Sequence, residues 1–322
     1  MGRDHRMSWT GHFWTLNGYL RRSLRPPRAP PSRQWSTGLN DPDVGAIRLT
    51  GKLSEPAVGA SALVVLIHGL GGCCDSPYVV EAAVRLVSSG LACLRLNLRG
   101  ADRTGEDIYH GGLITDLVAT LASPEIVTYD RIGLLGFSLG GHVALRFAID
   151  APPARLRAVA TVCPPVDLAA AATTIDSGSS WVYRRYLLKR LFEIYAEVAR
   201  RRQVDKSVEE VRRVSTFVEF DSLVIAPRYG FVDAWDYYRT VSVGPDLARL
   251  QVPSLIVAAA GDPMVPVGSL RKYVPGSSAK LEWFWSKQGG HMGFPTSLDL
   301  GSSAAPGLYP QIQGWLSHHL AV

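Results

Sequence analysis

Residues 131–145, RIGLLGFSLGGHVAL, decide the fold. An apolar run of strand length precedes Ser138, and a run with helical spacing of its apolar residues follows it. Gly136 and Gly140 lie two residues before and after the serine, where a strand and a helix that meet at a sharp turn approach too closely for a Cβ atom. The segment therefore predicts a strand, a strained turn that exposes Ser138 above the edge of a sheet, and a helix.

On both sides of this turn, short apolar runs alternate with segments of helical spacing. The predicted strands are 46–49, 63–68, 91–96, 132–137, 158–163, 255–260 and 281–285. The predicted helices are 78–88, 113–122, 139–149 and 306–320. This alternation predicts an α/β fold with a mostly parallel central sheet and helices on both of its faces.

Residues 164–250 interrupt the alternation, since connections between elements are ordinarily much shorter. The stretch has helical spacing and many aromatic side chains, and we predict a helical lid over the sheet edge. The candidate pocket residues in the lid are Phe217, Phe220, Phe231 and Trp235. The alternative is that these aromatic side chains only anchor the insertion on the body.

The basic charge of the chain is confined to its beginning. The net charge is +6, and residues 1–40 contain seven arginines and one acid, Asp4, so the rest of the chain is neutral overall. A neutral body argues against nucleic-acid binding. We predict a solvated basic arm, with weak peripheral membrane contact as the alternative. The predicted organisation is an arm (1–44), a first core part (45–163), the lid (164–250) and a second core part (251–322).

The longest apolar runs, 62–67 and 255–260, are far shorter than the roughly 18 residues of a membrane span, so no integral membrane segment is predicted. The segment before the body lacks the features of a secretory signal. The four cysteines show neither a disulfide framework nor metal-ligand spacing. These observations predict a cytoplasmic protein with reduced thiols and no bound metal.

A nucleophilic serine needs a base, and in this kind of fold the acid and the histidine follow the serine in the chain. His291 lies in a glycine-rich loop directly after the last predicted strand, and Asp262 lies in the turn after the strand before it. Asp233 and Asp236 are rival acids in the lid, but no strand end positions them. The predicted triad is Ser138, Asp262 and His291.

Two backbone N–H groups must also face the oxyanion that forms during attack. Leu139 follows the nucleophile, and Leu70 lies in the loop after the first long strand, so these two residues are predicted to supply the groups. His68 and His110 are predicted to have structural, hydrogen-bonding roles. His142 is predicted to point away from the serine.

Six motifs carry a resemblance. In chain order they are HGLGG (68–72), SPY (76–78), NLRGAD (97–102), GFSLGG (136–141), DPMVP (262–266) and GGHMGF (289–294). Together they resemble the α/β-hydrolase superfamily, and more narrowly its YheT-like branch of serine esterases, which is related to the yeast medium-chain ethyl-ester synthases. The resemblance spans about residues 55–300 and implies the same triad and ester hydrolysis without a cofactor. Cys73 and Cys74 depart from it, because small polar residues are usual there.

The prediction is a serine carboxylesterase that hydrolyses short- to medium-chain acyl or aryl esters through an acyl-enzyme intermediate. The expected partner is a small-molecule ester, and the oligomeric state is left open. The first alternative is an acyltransferase that forms esters from acyl donors and alcohols, since it would use the same residues. The second is a non-catalytic binding protein that keeps the α/β-hydrolase fold.

Overall fold

The computed structural model describes residues 9–321 and contains one sheet of eight strands. In chain order these are β1 (Arg33–Asp41), β2 (Gly45–Ser54), β3 (Ala62–Ile67), β4 (Ala92–Asn97), β5 (Arg131–Phe137), β6 (Leu156–Val162), β7 (Ser254–Ala259) and β8 (Leu281–Ser286). Their order across the sheet is β1-β2-β4-β3-β5-β6-β7-β8. The β1–β2 and β2–β4 pairs are antiparallel, and the other pairs are parallel. The predicted α/β-hydrolase architecture is confirmed.

Helices cover both faces of the sheet because its central strands are apolar on both sides. Every residue of β3 is buried, with Leu63 and Val65 in one core and Val64 and Leu66 in the other. The helices outside the lid are α1 (Trp9–Leu24), α2 (Pro77–Ser88), α3 (Thr115–Ala122), α4 (Leu139–Asp150), α11 (Val267–Arg271) and α12 (Leu308–Leu320). Helices α2 and α12 cover one face, and α3 and α4 cover the other.

The lid lies between β6 and β7, at the carboxyl edge of the parallel strands. Its helices are α5 (Leu168–Asp176), α6 (Trp181–Arg201), α7 (Val208–Val211), α8 (Phe217–Phe220), α9 (Ala226–Arg228) and α10 (Ala234–Val241), with a π-helical turn at Asp221–Ile225. Parallel strands share one carboxyl edge, so the loops after β3, β5, β7 and β8 meet beneath this insertion.

The core begins earlier in the chain than the sequence indicated. The seven predicted strands are present, but the segment assigned to the arm contains an eighth, β1, which pairs with β2 from Arg33 opposite Leu53 to Asp41 opposite Gly45. Strand β1 lies at the edge of the sheet and is mostly polar, and Trp35 is its one large buried apolar side chain. An edge strand of this kind lacks the alternation by which strands are recognised.

The remainder of the arm also departs from the expected solvated tail. Residues Trp9–Leu24 form helix α1, which lies against the loops that carry Asp262 and His291. A Cβ atom on Gly11 would overlap the carbonyl oxygen of Gly261, so the two backbones meet as closely as glycine allows. The first eight residues lie outside the described part of the chain. No helix within residues 9–321 combines the length and the apolar character of a membrane span.

A buried arginine joins β1 to the body. Arg99, in the NLRGAD motif after β4, is fully buried, and its guanidinium lies 2.7 Å from Asp41 and 2.7 Å from Asp116. Its backbone N–H also donates to Asp116 over 2.9 Å. The end of β1, the end of β4 and the start of α3 are therefore held by one cation.

Candidate active site

Ser138 lies at a backbone strain point between β5 and α4. Its φ of 51° and ψ of −122° place a non-glycine residue in a sparsely populated region. A Cβ atom on Gly136 would collide with the backbone of Gly140, and one on Gly140 would collide with the carbonyl oxygen of His68. The two glycines of the motif therefore allow the close approach that turns the serine outward from the sheet edge.

The three predicted triad residues meet at this edge. His291 Nε2 lies 2.9 Å from Ser138 Oγ, and His291 Nδ1 lies 2.9 Å from Asp262 Oδ2. The other oxygen of Asp262 accepts the backbone N–H groups of Met264 and Val265 over 2.8 and 3.0 Å. These bonds fix the carboxylate, so the imidazole is held between an orienting acid and a hydroxyl. This geometry suits proton transfer from Ser138 to His291.

The predicted oxyanion donors are both free to bind an incoming oxygen. Within residues 9–321, neither the N–H of Leu70 nor that of Leu139 donates to a protein acceptor. Leu139 is the first residue of α4, so its N–H also lies at the positive end of that helix. The two cavities described below each touch Ser138 and Leu70.

Two tyrosines that the sequence analysis did not assign hold the Leu70 loop. The N–H of Gly69 donates to the Tyr78 hydroxyl over 2.9 Å, and the N–H of Gly71 donates to the Tyr109 hydroxyl over 2.6 Å. Burial raises the pKa of Tyr78 to about 12 and raises that of Tyr109 as well, so both hydroxyls stay protonated at neutral pH. With the amides on both sides fixed, the orientation of the Leu70 N–H is set by the protein itself.

The other buried histidines have structural contacts. His68 faces the Gly69 carbonyl with Nδ1 and accepts the N–H of Leu98 at Nε2, and burial lowers its pKa to about 4. His110 accepts the N–H of residue 112, and burial lowers its pKa to about 3. His142 points its two ring nitrogens at backbone carbonyls of the lid ends. Within the described chain, the histidine that contacts Ser138 is His291.

A small cavity of about 80 Å³ lies under the lid beside Ser138 and His291. Its wall is largely apolar and includes Leu168, Ile175, Leu191, Phe217, Phe220 and Ile225. Two of the four predicted pocket aromatics, Phe217 and Phe220, therefore face this cavity.

The other two candidates do not line it. Phe231 packs behind the wall, against the rings of His110 and Tyr237. Trp235 is 47% exposed and contacts the ring of Tyr238 edge-on. The aromatic side chains of the lid thus divide between a pocket wall and an outer layer, because the short lid helices present different faces to the site.

A larger cavity of about 390 Å³ also reaches Ser138 and His291, and it lies between α1 and α6. Its wall includes Leu16, Tyr19, Cys73, Tyr183, Tyr186 and Leu187. Cys73 therefore faces a cavity, whereas Cys74 is buried and donates its N–H to Asn97 over 2.7 Å. The α1 side of this cavity was not predicted, because the charge pattern of that segment indicates an arm outside the body.

Helix α1 also contacts the backbone of residues 289–294, the loop that carries His291, which we call the histidine loop. The N–H of His291 donates to Thr15 Oγ1 over 2.8 Å, and the Thr15 hydroxyl donates to the Gly11 carbonyl over 2.8 Å. Arg22 donates to the carbonyl of the next loop residue, Met292, over 2.8 Å. The position of the imidazole thus depends on a segment more than 250 residues away in sequence.

We expect Thr15→Val to lower kcat by about tenfold with little change in KM. The substitution leaves the partly buried N–H of His291 without an acceptor, so the imidazole ring is held less firmly in its position. Thr15→Ser keeps the hydroxyl and should retain most of the activity. Steady-state kinetics of the three proteins on one soluble ester is the measurement. Equal kcat values for the valine variant and the wild type would contradict a positioning role.

Among residues 9–321, one group of side chains has the spacing of a metal site, namely Cys163, Asp262 and His291, whose ligand atoms lie within 4.8 Å of one another. Burial raises the pKa of the Cys163 thiol well above its ordinary value, whereas a metal ligand must be a thiolate. The His291 nitrogen on that side is already engaged by Asp262. Asp262 and His291 therefore fit a hydrogen-bonded triad with Ser138 better than a metal centre with Cys163.

Comparison with known protein families gives the α/β-hydrolase class that the sequence motifs predict. The family model described as "alpha/beta hydrolase fold" matches residues 62–297. The chain therefore belongs to the α/β-hydrolase family, and it is a hydrolase. A solved structure of the Pyrococcus furiosus esterase Pf2001 has the same fold, with a TM-score of 0.52 at 15% identity over 82% of this chain and 90% of that one.

Sequence relatives narrow the class to esterases. The chain is 31% identical to "Putative esterase YheT" of Escherichia coli K12, over 72% of this chain and 70% of the relative. It is 25% identical to the Saccharomyces cerevisiae "Medium-chain fatty acid ethyl ester synthase/esterase 2", over 63% of this chain and 51% of the relative. It is 24% identical to a "Monoacylglycerol lipase" of the same yeast, over 73% of this chain and 55% of the relative. The predicted resemblance is confirmed.

Proposed function

We propose that the protein is a serine carboxylesterase that acts through an acyl-enzyme intermediate. The observation that carries this proposal is the chain of two 2.9 Å contacts from Ser138 Oγ through the His291 ring to Asp262. An orienting carboxylate holds one imidazole tautomer, in which Nε2 is unprotonated and faces the hydroxyl. That arrangement activates an otherwise weak nucleophile.

In the first half of the reaction, His291 takes the Ser138 proton as Oγ attacks the ester carbonyl. The N–H groups of Leu70 and Leu139 stabilise the oxyanion, and the protonated imidazole then gives its proton to the departing alcohol. In the second half, His291 removes a proton from water, which attacks the acyl-serine. Collapse of that intermediate releases the carboxylic acid and returns the proton to Ser138.

The two cavities favour an ester with two apolar parts of unequal size. We assign a short acyl chain to the smaller cavity of about 80 Å³, which lies beside Ser138 under the lid. We assign the larger alcohol part to the cavity of about 390 Å³. Phe217 and Phe220 form part of the wall that limits the acyl chain.

Phe220→Ala or Phe217→Ala should therefore shift the preference from C4 towards C8 acyl chains by more than about fivefold in the kcat/KM ratio, since each methylene newly buried is worth about 0.8 kcal/mol. A panel of p-nitrophenyl esters from C2 to C16 is the measurement. Phe231→Ala and Trp235→Ala are the matched controls and should change activity on all chain lengths alike. Parallel profiles for all four variants would rule out an acyl pocket under the lid.

Acyl transfer to an alcohol is the second candidate, and the yeast relative whose printed name includes ester synthase supports it. It would use the same residues, because the acyl-serine reacts with an alcohol as it does with water. Adding ethanol and measuring the partition between acid and ethyl ester decides between the two. We further propose a cytoplasmic location, supported by four free cysteines, three of them buried.

A further inference from the structure

Helix α1 is docked with its polar face inward and its apolar face outward. Residues at helical spacing form one outward stripe, which we call the apolar stripe: Trp9, Phe13, Leu16, Leu20 and Leu24. These side chains are between 44% and 88% exposed. The opposite face meets the body through Gly11, Thr15, Gly18 and Arg22. A surface helix ordinarily buries its apolar residues, so the outward stripe is available to contact something else.

The apolar surface continues onto α6 around the mouth of the larger cavity. Trp181, Val182 and Tyr186 in the first two turns of α6 are exposed, and the Tyr19 ring lies 5.9 Å from that of Tyr186. Nine of the fourteen exposed large apolar side chains in residues 9–321 belong to α1 or to this part of α6. The cavity that reaches Ser138 adjoins this apolar surface, since Leu16, Tyr19, Val182 and Tyr186 are among its lining residues.

Beside the stripe lies an open cleft of about 570 Å³ with basic side chains. Arg21, Arg25 and Arg85 line it, and no carboxylate of residues 9–321 forms an ion pair with any of them. The acid in the cleft, Glu81, is paired with Arg22 at 3.2 Å. Residues 9–40 contain no acidic residue at all. The cleft therefore offers unneutralised guanidinium groups next to an apolar surface.

We propose that the apolar stripe, the start of α6 and the arginine cleft together dock the protein on the surface of an anionic lipid membrane. Apolar and aromatic side chains beside unpaired arginines are the chemistry of helices that lie in a membrane interface. The arginines would bind lipid phosphates, and the stripe would enter the boundary of the acyl chains. A second copy of this chain would instead bring two arginine clefts together, which charge repulsion disfavours.

Docking in this orientation also gives an apolar ester a direct path to the site. The cavity mouth between Leu16, Tyr19, Val182 and Tyr186 would face the lipid, so substrate could enter without crossing water. This delivery step rests on the proposed esterase function. The docking itself does not, because it involves neither Ser138 nor His291.

The test uses the full chain with Ser138→Ala, so that no lipid is consumed, and measures co-sedimentation with vesicles. One vesicle is pure phosphatidylcholine, and the other contains about one third phosphatidylglycerol. We expect binding to the anionic vesicle that weakens as salt is raised, and much weaker binding to the neutral one. Leu20→Asp in this background should lower the affinity by at least about tenfold, because it puts a charge in the stripe.

The matched control is Val58→Asp, which introduces the same charge at a residue 98% exposed in the loop before β3, at the other edge of the sheet from Ser138. It should bind as the parent does. In chains that keep Ser138, Leu20→Asp should retain the parental Tm and the parental activity on a water-soluble ester, which shows that α1 stays folded and docked. The double variant Arg21→Gln, Arg25→Gln should bind the anionic vesicle more weakly, so that its affinities for the two vesicles differ less than those of the parent.

Equal binding of the Leu20→Asp and Val58→Asp proteins, or no binding of the parent to anionic vesicles, would overturn the proposal. A dimer that Leu20→Asp dissociates, without any vesicle binding, would assign the surface to a second copy and would overturn it too. A failure of the esterase proposal is distinguishable, since it appears as absent ester hydrolysis by the serine-containing protein while vesicle binding persists.

Discussion

Ser138→Ala is expected to lower kcat on a soluble ester by about 10⁴- to 10⁶-fold, because the variant has no nucleophile and retains only substrate binding and the oxyanion donors. His291→Ala should cause a loss of the same order. The double variant should be no slower than either single one, because the 2.9 Å contact between the two side chains makes them act as a unit. Steady-state assays with a p-nitrophenyl ester measure kcat for the two single variants and the double variant.

The matched control is Ser88→Ala, which removes an exposed hydroxyl that bonds the Val84 carbonyl within α2. It should keep the parental kcat. Asp262→Asn should cost less than the loss of Ser138, since it disturbs the imidazole tautomer and leaves the nucleophile in place. More than about a tenth of the parental activity in Ser138→Ala would exclude the triad mechanism altogether.

Arg99→Met is expected to lower the free energy of unfolding by about 3–5 kcal/mol, because it leaves two carboxylates in the interior without their cation. Asp116 is fully buried, and Asp41 is 7% exposed. Urea unfolding at pH 7 measures the loss. Arg239→Met removes an exposed pair with Asp236 on the lid surface and should change stability by less than about 1 kcal/mol.

The deficit of Arg99→Met should narrow as the pH is lowered from 7 to 5. Burial already raises the pKa of Asp116 beside Arg99, and without the arginine this effect is unopposed. A carboxyl whose pKa is higher in the folded than in the unfolded protein binds protons preferentially when folded, so acid stabilises the variant relative to the parent. A constant deficit across this range, or one no larger than that of Arg239→Met, would show that Arg99 does not neutralise the buried acids.

Much of the candidate site follows from local sequence. The glycines around Ser138 are required wherever a strand turns sharply into a helix, so residues 136–140 define the turn without the rest of the molecule. Asp262 and His291 could be chosen because each follows an apolar strand, and parallel strands end at one edge of the sheet. The chain order of the strands and loops was therefore enough to predict that these three side chains, which are distant in sequence, lie close together.

Other features have no local signature. Strand β1 is recognisable only through its pairing with β2, because a polar edge strand buries little beyond Trp35. The difference between Phe220, which lines the cavity, and Phe231, which lies behind it, depends on how short lid helices are rotated. Rotation is set by packing against the body, and apolar spacing over four or five residues does not specify it.

The largest difference between sequence and structure concerns α1. Its arginines and its isolated apolar residues fit a solvated tail as well as a docked helix, since the charge pattern is the same in both. What docks it is backbone contact at Gly11 and the hydrogen bond from His291 to Thr15, which exist only when the histidine loop is in place. The sequence determined the nucleophile turn, seven of the eight strands and the three side chains of the proposed triad, because each depends on local spacing. The tertiary structure decided what surrounds them, because close approach between distant segments depends on shape and is not encoded in any one of them.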